Sequence, residues 1–285
     1  MTANIIDGNK IAKIIKQNIC NQIKERRIQG LRIPGLAVII VGDNPASKIY
    51  VSKKYEMCQE IGIIAKDYTL PKNTTEIELL NLISSLNEDK TIDGILVQLP
   101  LPKHIQNNKI LESILPDKDV DGFHPYNLGK LLIGQPVLCP CTPKGIMTLL
   151  KSTAIDLTGM NAVVIGASNI VGKPMAMELI NARCTATVCH STTKNISSIT
   201  KLADIIIVAA GVAQMIKGDW IKKDAIIIDV GINKLPNGKL VGDVDFNQAM
   251  ERASWITPVP GGVGPMTVIT LMENTIYAAT VLHTI

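Results

Sequence analysis

Residues 161–182, NAVVIGASNIVGKPMAMELINA, carry the pattern from which the architecture follows. Asn161–Ile165 is a short apolar run, and it predicts a buried strand. Gly166 interrupts it, and apolar residues at helical spacing from about Ile170 to Ala182 predict a helix. Strand, glycine turn and helix in that order form the first half of a βαβ unit. The spacing Gly166-x-Ser168-x-x-x-Gly172 departs from the GxGxxG dinucleotide fingerprint. Serine stands at the second glycine, and the last glycine falls one place late. Two readings therefore stay open from these residues alone. The turn offers free helix N–H groups and a positive dipole end to a phosphate, or it is an ordinary βα turn whose glycine packs helix against strand.

The alternation continues on both sides. Downstream, Thr185–Cys189, Ile205–Ala209 and Ala225–Val230 read as further strands, residues 233–240 with Pro236-Asn237-Gly238 as a hairpin or exposed turn, and Thr267–Leu282 as an apolar helix. Upstream, Gly8–Arg27 reads as an amphipathic helix, Leu36–Val41 as a buried strand and Ala46–Gly62 as a helix. Tyr68–Leu70 is a weak strand, Glu76–Asn87 a helix and Gly94–Leu99 another buried strand. Repeated strand–helix pairs predict parallel sheets, so the fold class is α/β with two domains. Prolines at 100, 102, 116, 125, 136, 140 and 143 mark a crossover between them, after which Gly145–Lys151 starts a new helix. The division expected is residues 1–121 and residues 122–285.

Composition supports this and removes other classes. The chain has 285 residues, 46% hydrophobic and 19% charged, enough apolar material for packed cores. Two Trp, five Tyr and two Phe are too few for base-stacking platforms or aromatic membrane girdles. The net charge is +4, and its densest local run (Lys24, Arg26, Arg27, Arg32) fits a solvated helix face rather than a nucleic-acid stripe. Such a mild positive bias suits an anionic small molecule. Six cysteines contain no CxxC pair, and the four histidines lack ligand spacing; free thiols in a reducing compartment and no metal are expected. The N-terminal stretch has no apolar signal core, and the apolar run near Ile205–Val212 is too short for a membrane span. The expectation is a soluble, cytoplasmic protein with no nucleic-acid or membrane partner.

Several polar residues stand out against this apolar background. Tyr50 and Lys54 lie four apart on a predicted helix and so share a face. Lys53 points elsewhere. A lysine in a cleft can do proton-transfer chemistry, although a solvated lysine beside a core tyrosine is the plainer reading. Gln98 interrupts GILVQLPLP at the carboxyl end of a strand, where open α/β sheets bind ligands. Asp121, in PDKDVDG, is either a turn residue or a site carboxylate. The glycine-rich loop PVPGGVGPMT (258–267), with Pro260, Gly261 and Gly262, allows backbone to approach a ligand closely. The strand ending at Cys189 is followed by His190, Ser191, Thr192, Thr193 and Lys194, without the carboxylate that usually meets a 2′-hydroxyl. This favours NADP over NAD, although Ala167 supplies no arginine from the glycine turn.

The blocks PASKIYVSKK, DGILVQLPLP, PDKDVDG, PCTPKG, GASNIVGKP, DVGIN, GDVDF and TPVPGGVGPMT together resemble the bifunctional methylenetetrahydrofolate dehydrogenase/methenyltetrahydrofolate cyclohydrolase (FolD) family. The likeness runs from IIDG near residue 5 to the C-terminal helix. It implies that residues 1–121 form an N-terminal α/β catalytic, folate-binding domain. Residues 122–285 would form a Rossmann-like NADP-binding region including the crossover, with a cleft between the two. The helix at about 267–285 would pack back on the first domain. The implied reaction is NADP-linked oxidation of 5,10-methylenetetrahydrofolate to 5,10-methenyltetrahydrofolate, then hydrolysis to 10-formyltetrahydrofolate. That places the chain in one-carbon metabolism, feeding purine, methionine and histidine biosynthesis.

By the same resemblance, Tyr50, Lys54, Gln98 and Asp121 match catalytic and substrate positions. Lys54 would move protons, Gln98 tune Lys54, Tyr50 position the folate and Asp121 bind the pterin amino edge. Gly166, Ala167, Ser168, Ser191 and Ile232 match cofactor contacts, and Pro260, Gly261 and Gly262 match substrate contacts. A homodimer is implied as well. Two departures are visible: Ala167 where some members carry arginine, and Glu56 where a basic residue is frequent. The alternatives are a dehydrogenase without hydrolase activity and a nucleotide-sensing binding protein without chemistry.

Overall fold

The computed structural model describes residues 2–283, the side chain of Ala46 excepted. The elements run β1 (Asn4–Ile5), α1 (Gly8–Ile28), β2 (Gly35–Val41), α2 (Pro45–Ile61), β3 (Ile64–Leu70), α3 (Glu76–Glu88) and β4 (Gly94–Val97). Next come α4 (Asn107–Ser113), α5 (Pro125–Leu132), α6 (Cys141–Ser152), β5 (Asn161–Ile165), α7 (Gly172–Asn181), β6 (Thr185–Cys189) and α8 (Ile196–Thr200). The chain closes with β7 (Ile205–Val208), β8 (Ile226–Asp229), β9 (Asn233–Lys234), β10 (Leu240–Val241), α9 (Phe246–Met250), β11 (Trp255–Ile256) and α10 (Val263–Tyr277). A π-helical turn at Ala278–Leu282 prolongs α10. Residues 284 and 285 of the expected final helix lie outside the described residues.

The fold is α/β with parallel sheets, as the strand–helix alternation predicts. Two compact units result, and each draws on separated parts of the chain: residues 1–13 with 142–267, and residues 14–141 with 268–285. The sequence reading cuts the chain at 121 and returns the helix at about 267–285 to the first domain, and residues 268–285 do group with 14–141. The grouping of contacts interleaves further, because β1 pairs with β11 some 250 residues later, and because α10 supplies an anchor to the segment at 120–139.

In the unit of residues 14–141 and 268–285, the strand order is β3-β2-β4, all parallel. Every residue of β2 and β4 is buried, so both faces are covered, as the unbroken apolar runs require. β3 begins four residues before the expected Tyr68. It is an edge strand with no fully buried residue, so its first half, Ile64–Asp67, needs no apolar run. Helix α3 opens with a capping box, Thr75 accepting from the Glu78 amide while Glu78 accepts from that of Thr75. Leu79, Ile83 and Leu86 then point into the core. α6 starts at Cys141, ahead of the expected Gly145, because Pro143 falls in the first turn, where a missing N–H costs nothing.

In the unit of residues 1–13 and 142–267, the described strands order as β1-β11-β8-β7-β5-β6. β7 and β8 are buried throughout. β9 and β10 pair antiparallel around the Pro236-Asn237-Gly238 turn. Asn9 donates its amide to the carbonyl of Gly261 at 3.1 Å, which fixes the glycine-rich loop at 258–264 against the start of α1.

α10 contributes one polar anchor to its unit. Asn274 is buried, and its Nδ2 donates to the carbonyls of Val120 (2.8 Å) and Cys139 (2.9 Å). Asn274→Ala leaves both carbonyls without that donor, at about 1–3 kcal/mol for a buried group left unsatisfied. Denaturant unfolding should show a loss in that range, and a change under about 0.5 kcal/mol would refute the anchoring role.

Candidate active site

Parallel strands deliver their loops to one edge, and in the unit of residues 14–141 and 268–285 the elements that follow β2 and β4 carry Tyr50, Lys54 and Gln98. α2 follows β2 and carries Tyr50 and Lys54 one turn apart. Lys54 is only 7% exposed, whereas Lys53 is exposed, so the helix aims Lys54 inward. Tyr50 is 37% exposed, and burial of its ring edge raises its phenol above the ordinary value. Gln98 lies one residue beyond β4 rather than inside it, because the ladder of β4 ends at Val97. Its amide still pairs with the Ile39 carbonyl at 2.8 Å. Its side chain is engaged at both ends: Lys54 Nζ donates to Gln98 Oε1 at 3.0 Å, and Gln98 Nε2 donates to the Leu99 carbonyl at 2.8 Å. The second bond fixes which end of the amide faces the lysine.

Asp121 reaches the same place by another route. The carbonyl of Lys118 accepts from Ile95 at 2.8 Å, which lays the 118–121 segment beside β4. Asp119 locks the following turn, accepting from the amides of Phe123 (3.1 Å) and His124 (2.8 Å) and from Asn127 Nδ2 (2.9 Å). Burial pushes Asp119 up to about 7, with the three donors pulling the other way. For Asp121 burial again raises the carboxyl, while the charge of Lys54 and a hydrogen bond from Cys141 lower it. Tyr50, Lys54, Gln98 and Asp121 thus stand on one unit, with Lys54 bonded to Gln98 and within electrostatic reach of Asp121. Asp119 and Asn274 support the site and were not singled out in the sequence. Asp119, two residues before Asp121 in PDKDVDG, is the one with a visible signal.

The expected cofactor residues lie on the other unit. Gly166 has φ +122°, and a Cβ there would run into the carbonyl oxygen of Ala209, so only glycine fits the turn after β5. The start of α7 differs from the expected open phosphate site. Ser168 Oγ accepts from the amides of Val171 (3.2 Å) and Gly172 (3.3 Å), its carbonyl takes Lys173 N, and Pro174 has no N–H. The serine that replaces the second glycine is therefore a cap, and a phosphate would meet the turn itself rather than the helix amides. After β6, Thr193 Oγ1 accepts from His190 N at 2.9 Å and Thr192 bonds the His190 ring. This local turn leaves Ser191 and Lys194 exposed, with no carboxylate among 190–194, a donor set that fits a 2′-phosphate. Ile232 is exposed in the loop between β8 and β9. Pro260 is exposed, and Gly262 is buried against the start of α1.

Comparison with known sequences also divides the chain in two, at the crossover. Residues 6–121 match the family model of the tetrahydrofolate dehydrogenase/cyclohydrolase catalytic domain, and residues 140–283 match that of its NAD(P)-binding domain. The chain belongs to the tetrahydrofolate dehydrogenase/cyclohydrolase family.

Solved structures agree. The bifunctional FolD methylenetetrahydrofolate dehydrogenase/cyclohydrolase of Campylobacter jejuni is 51% identical, with a TM-score of 0.96 over 97% of this chain and 98% of that one. The Trypanosoma brucei FolD enzyme, solved with NADP cofactor and an inhibitor, is 39% identical, with a TM-score of 0.94 over 98% of each chain. The bifunctional enzyme of Thermoplasma acidophilum is 35% identical, with a TM-score of 0.90 over 97% of this chain and 98% of that one.

The pairing of Lys54 with Asp121 has a measurable consequence. A nearby cation favours the ionised carboxylate, so removing it raises the carboxyl further. In Lys54→Met, Asp121 should titrate at higher pH than in the unaltered protein, read from the ¹³C shift of its carboxyl. An unchanged or lower midpoint would sink the pairing. The sign for stability follows by linkage. A folded-state value raised above the unfolded value of about 4 makes Asp121 contribute most at low pH and progressively less as pH climbs to the folded value.

Proposed function

We propose that this chain oxidises 5,10-methylenetetrahydrofolate with NADP and then hydrolyses the methenyl product to 10-formyltetrahydrofolate. The observation that carries the reading is the buried Lys54 amine held by Gln98 beside Asp121, on the unit that matches the family's catalytic domain. NADP, when bound, supplies the chemistry of accepting one hydride from the bridging methylene carbon. Everything else falls to the chain's own residues. The turn at Gly166, Ala167 and Ser168 and the exposed Ser191 and Ile232 are assigned to the cofactor, with Ser191 and Lys194 facing a 2′-phosphate.

Asp121 is assigned to the pterin, whose amino edge offers the two donors that one carboxylate accepts. Tyr50 gives a flat, half-exposed ring against which the folate lies. Pro260, Gly261 and Gly262 are assigned to the substrate through their backbone. Loss of hydride leaves an electrophilic amidinium carbon between N5 and N10. Water adds to that carbon and loses one proton; the second proton passes to N5 as the carbon–N5 bond breaks, so the formyl group stays on N10. Lys54 handles that proton, and Gln98 keeps the amine in place while it does so. The assembly we propose is a homodimer working in the cytoplasm. Among the described residues no helix is long and apolar enough to cross a membrane.

Lys54→Met should slow methenyltetrahydrofolate hydrolysis by about 10²-fold or more, the usual contribution of a placed acid–base group, while leaving NADP affinity intact by fluorescence titration. Equal loss of both would make Lys54 a folding residue. If the unaltered chain does not accelerate methenyltetrahydrofolate decay over the spontaneous rate, the bifunctional reading fails. The dehydrogenase step should show a higher kcat/KM with NADP than with NAD, and the reverse order would remove Ser191 from the 2′-phosphate.

A further inference from the structure

The segments DVGIN (229–233) and GDVDF (242–246) bring together two buried carboxylates that no step above uses. Asp229 accepts from the amides of Gly231 (3.0 Å), Asp243 (2.9 Å) and Val244 (2.9 Å). Asp243, fixed in this way, turns its own carboxylate to two other segments. Its Oδ2 accepts from the amides of Ala210 (2.7 Å) and Gly211 (2.8 Å), and its Oδ1 accepts from Asn233 Nδ2 (2.8 Å). Two glycines make room for this. A Cβ on Gly231 would run into the Asp243 carboxylate, and a Cβ on Gly242 into that of Asp229.

The strand order says what these segments are for. Reading β6-β5-β7-β8, the order of connection reverses between β5 and β7. A dinucleotide straddles such a reversal, one mononucleotide half on each side. The turn after β5 and the end of β6 take the pyrophosphate and the adenosine ribose. The nicotinamide half is left with the loops that follow β7 and β8, at 209–211 and 230–233. Those are the loops that Asp243 joins. Ala209, whose carbonyl crowds Gly166, links the same loops to the phosphate turn.

We propose that Asp243 is a positioning residue for the nicotinamide end of NADP. It holds the 209–211 and 230–233 loops at the fixed spacing the ring requires, without touching the ring itself. The proposal rests on the NADP-dependent activity inferred above. The chemistry demands a carboxylate. Three donors from two loops converge on one side chain, and an amide has a single acceptor oxygen. In Asp243→Asn, the oxygen can serve the Ala210 and Gly211 amides, but the new NH₂ then faces the NH₂ of Asn233.

The test uses Asp243→Asn, Asn233→Asp and the double variant in the full chain. Two NH₂ groups facing each other in Asp243→Asn, and two carboxylates facing each other in Asn233→Asp, should each lower kcat/KM for NADP by about tenfold or more. Hydrolysis of methenyltetrahydrofolate without NADP should stay within roughly twofold. The double variant restores complementarity. At position 243 the side-chain oxygen accepts from the two backbone amides, and the NH₂ beside it donates to the new carboxylate at position 233. Its kcat/KM for NADP should therefore recover to within about threefold of the unaltered chain. Unchanged kcat/KM in Asp243→Asn, parallel collapse of both activities, or no recovery in the double variant would each overturn the proposal. An unaltered chain that does not reduce NADP at all would overturn the parent reading and this one with it.

Discussion

A parallel strand covered on both faces has no side on which a polar group can meet water. β2, β4, β7 and β8 are in that position along their whole length. An unpaired polar side chain inside them would cost several kcal/mol. Chemistry therefore moves to the loops at the carboxyl ends, and in both units the notable polar residues sit there. Gln98 follows β4, Lys54 rises from the helix after β2, and Ser191 follows β6. Asp229 ends β8 while still buried, and it is tolerated because three backbone amides converge on it.

The same constraint explains which parts of the fold can be read from residues alone. Unbroken apolar runs such as LAVIIV and GILV have one physical outcome, and the strands lie where those runs fall. β1 and β11 are each two residues long, too short for any period. Their existence depends on pairing with partners distant in the chain. α8 and α9 are five residues long and equally silent as patterns. The grouping of residues 1–13 with the later unit follows from that same distant pairing, and no composition shift at residue 13 announces it.

The site divides along similar lines. The four-residue spacing of Tyr50 and Lys54 is local, and the helix enforces it. That Lys53 is exposed and Lys54 buried depends on how α2 lies on the sheet, which the spacing alone leaves open. The Lys54–Gln98 bond joins residues 44 apart, and only the parallel register of β2 with β4 brings them together. Ser168 shows the opposite case. As a departure from the glycine fingerprint it reads as a weakened phosphate site, yet its hydroxyl replaces what a glycine cannot give, a cap for the Val171 and Gly172 amides. Misreading it comes from treating the motif as a list of glycines rather than as a set of backbone donors needing partners.

Both units fix a functional loop by the same device, a buried aspartate that accepts from consecutive backbone amides. Asp119 takes Phe123 and His124, and so sets the turn that carries Asp121. Asp243 takes Ala210 and Gly211. A serine or threonine could accept from one amide, but its own proton would then need an acceptor. A carboxylate has two oxygens with room for about four donors and brings no donor of its own when ionised. Bonds to it are charge-assisted and shorter than neutral ones, so the loop is held with less play. The cost is desolvation, visible in the upward push on Asp119 to about 7; burial pushes Asp229, which fixes the backbone of Asp243, equally far. A loop that merely needed to be folded would not require so expensive an anchor. The roles proposed for these two loops call for one, because misplacement by a fraction of an ångström is what a reacting centre tolerates least.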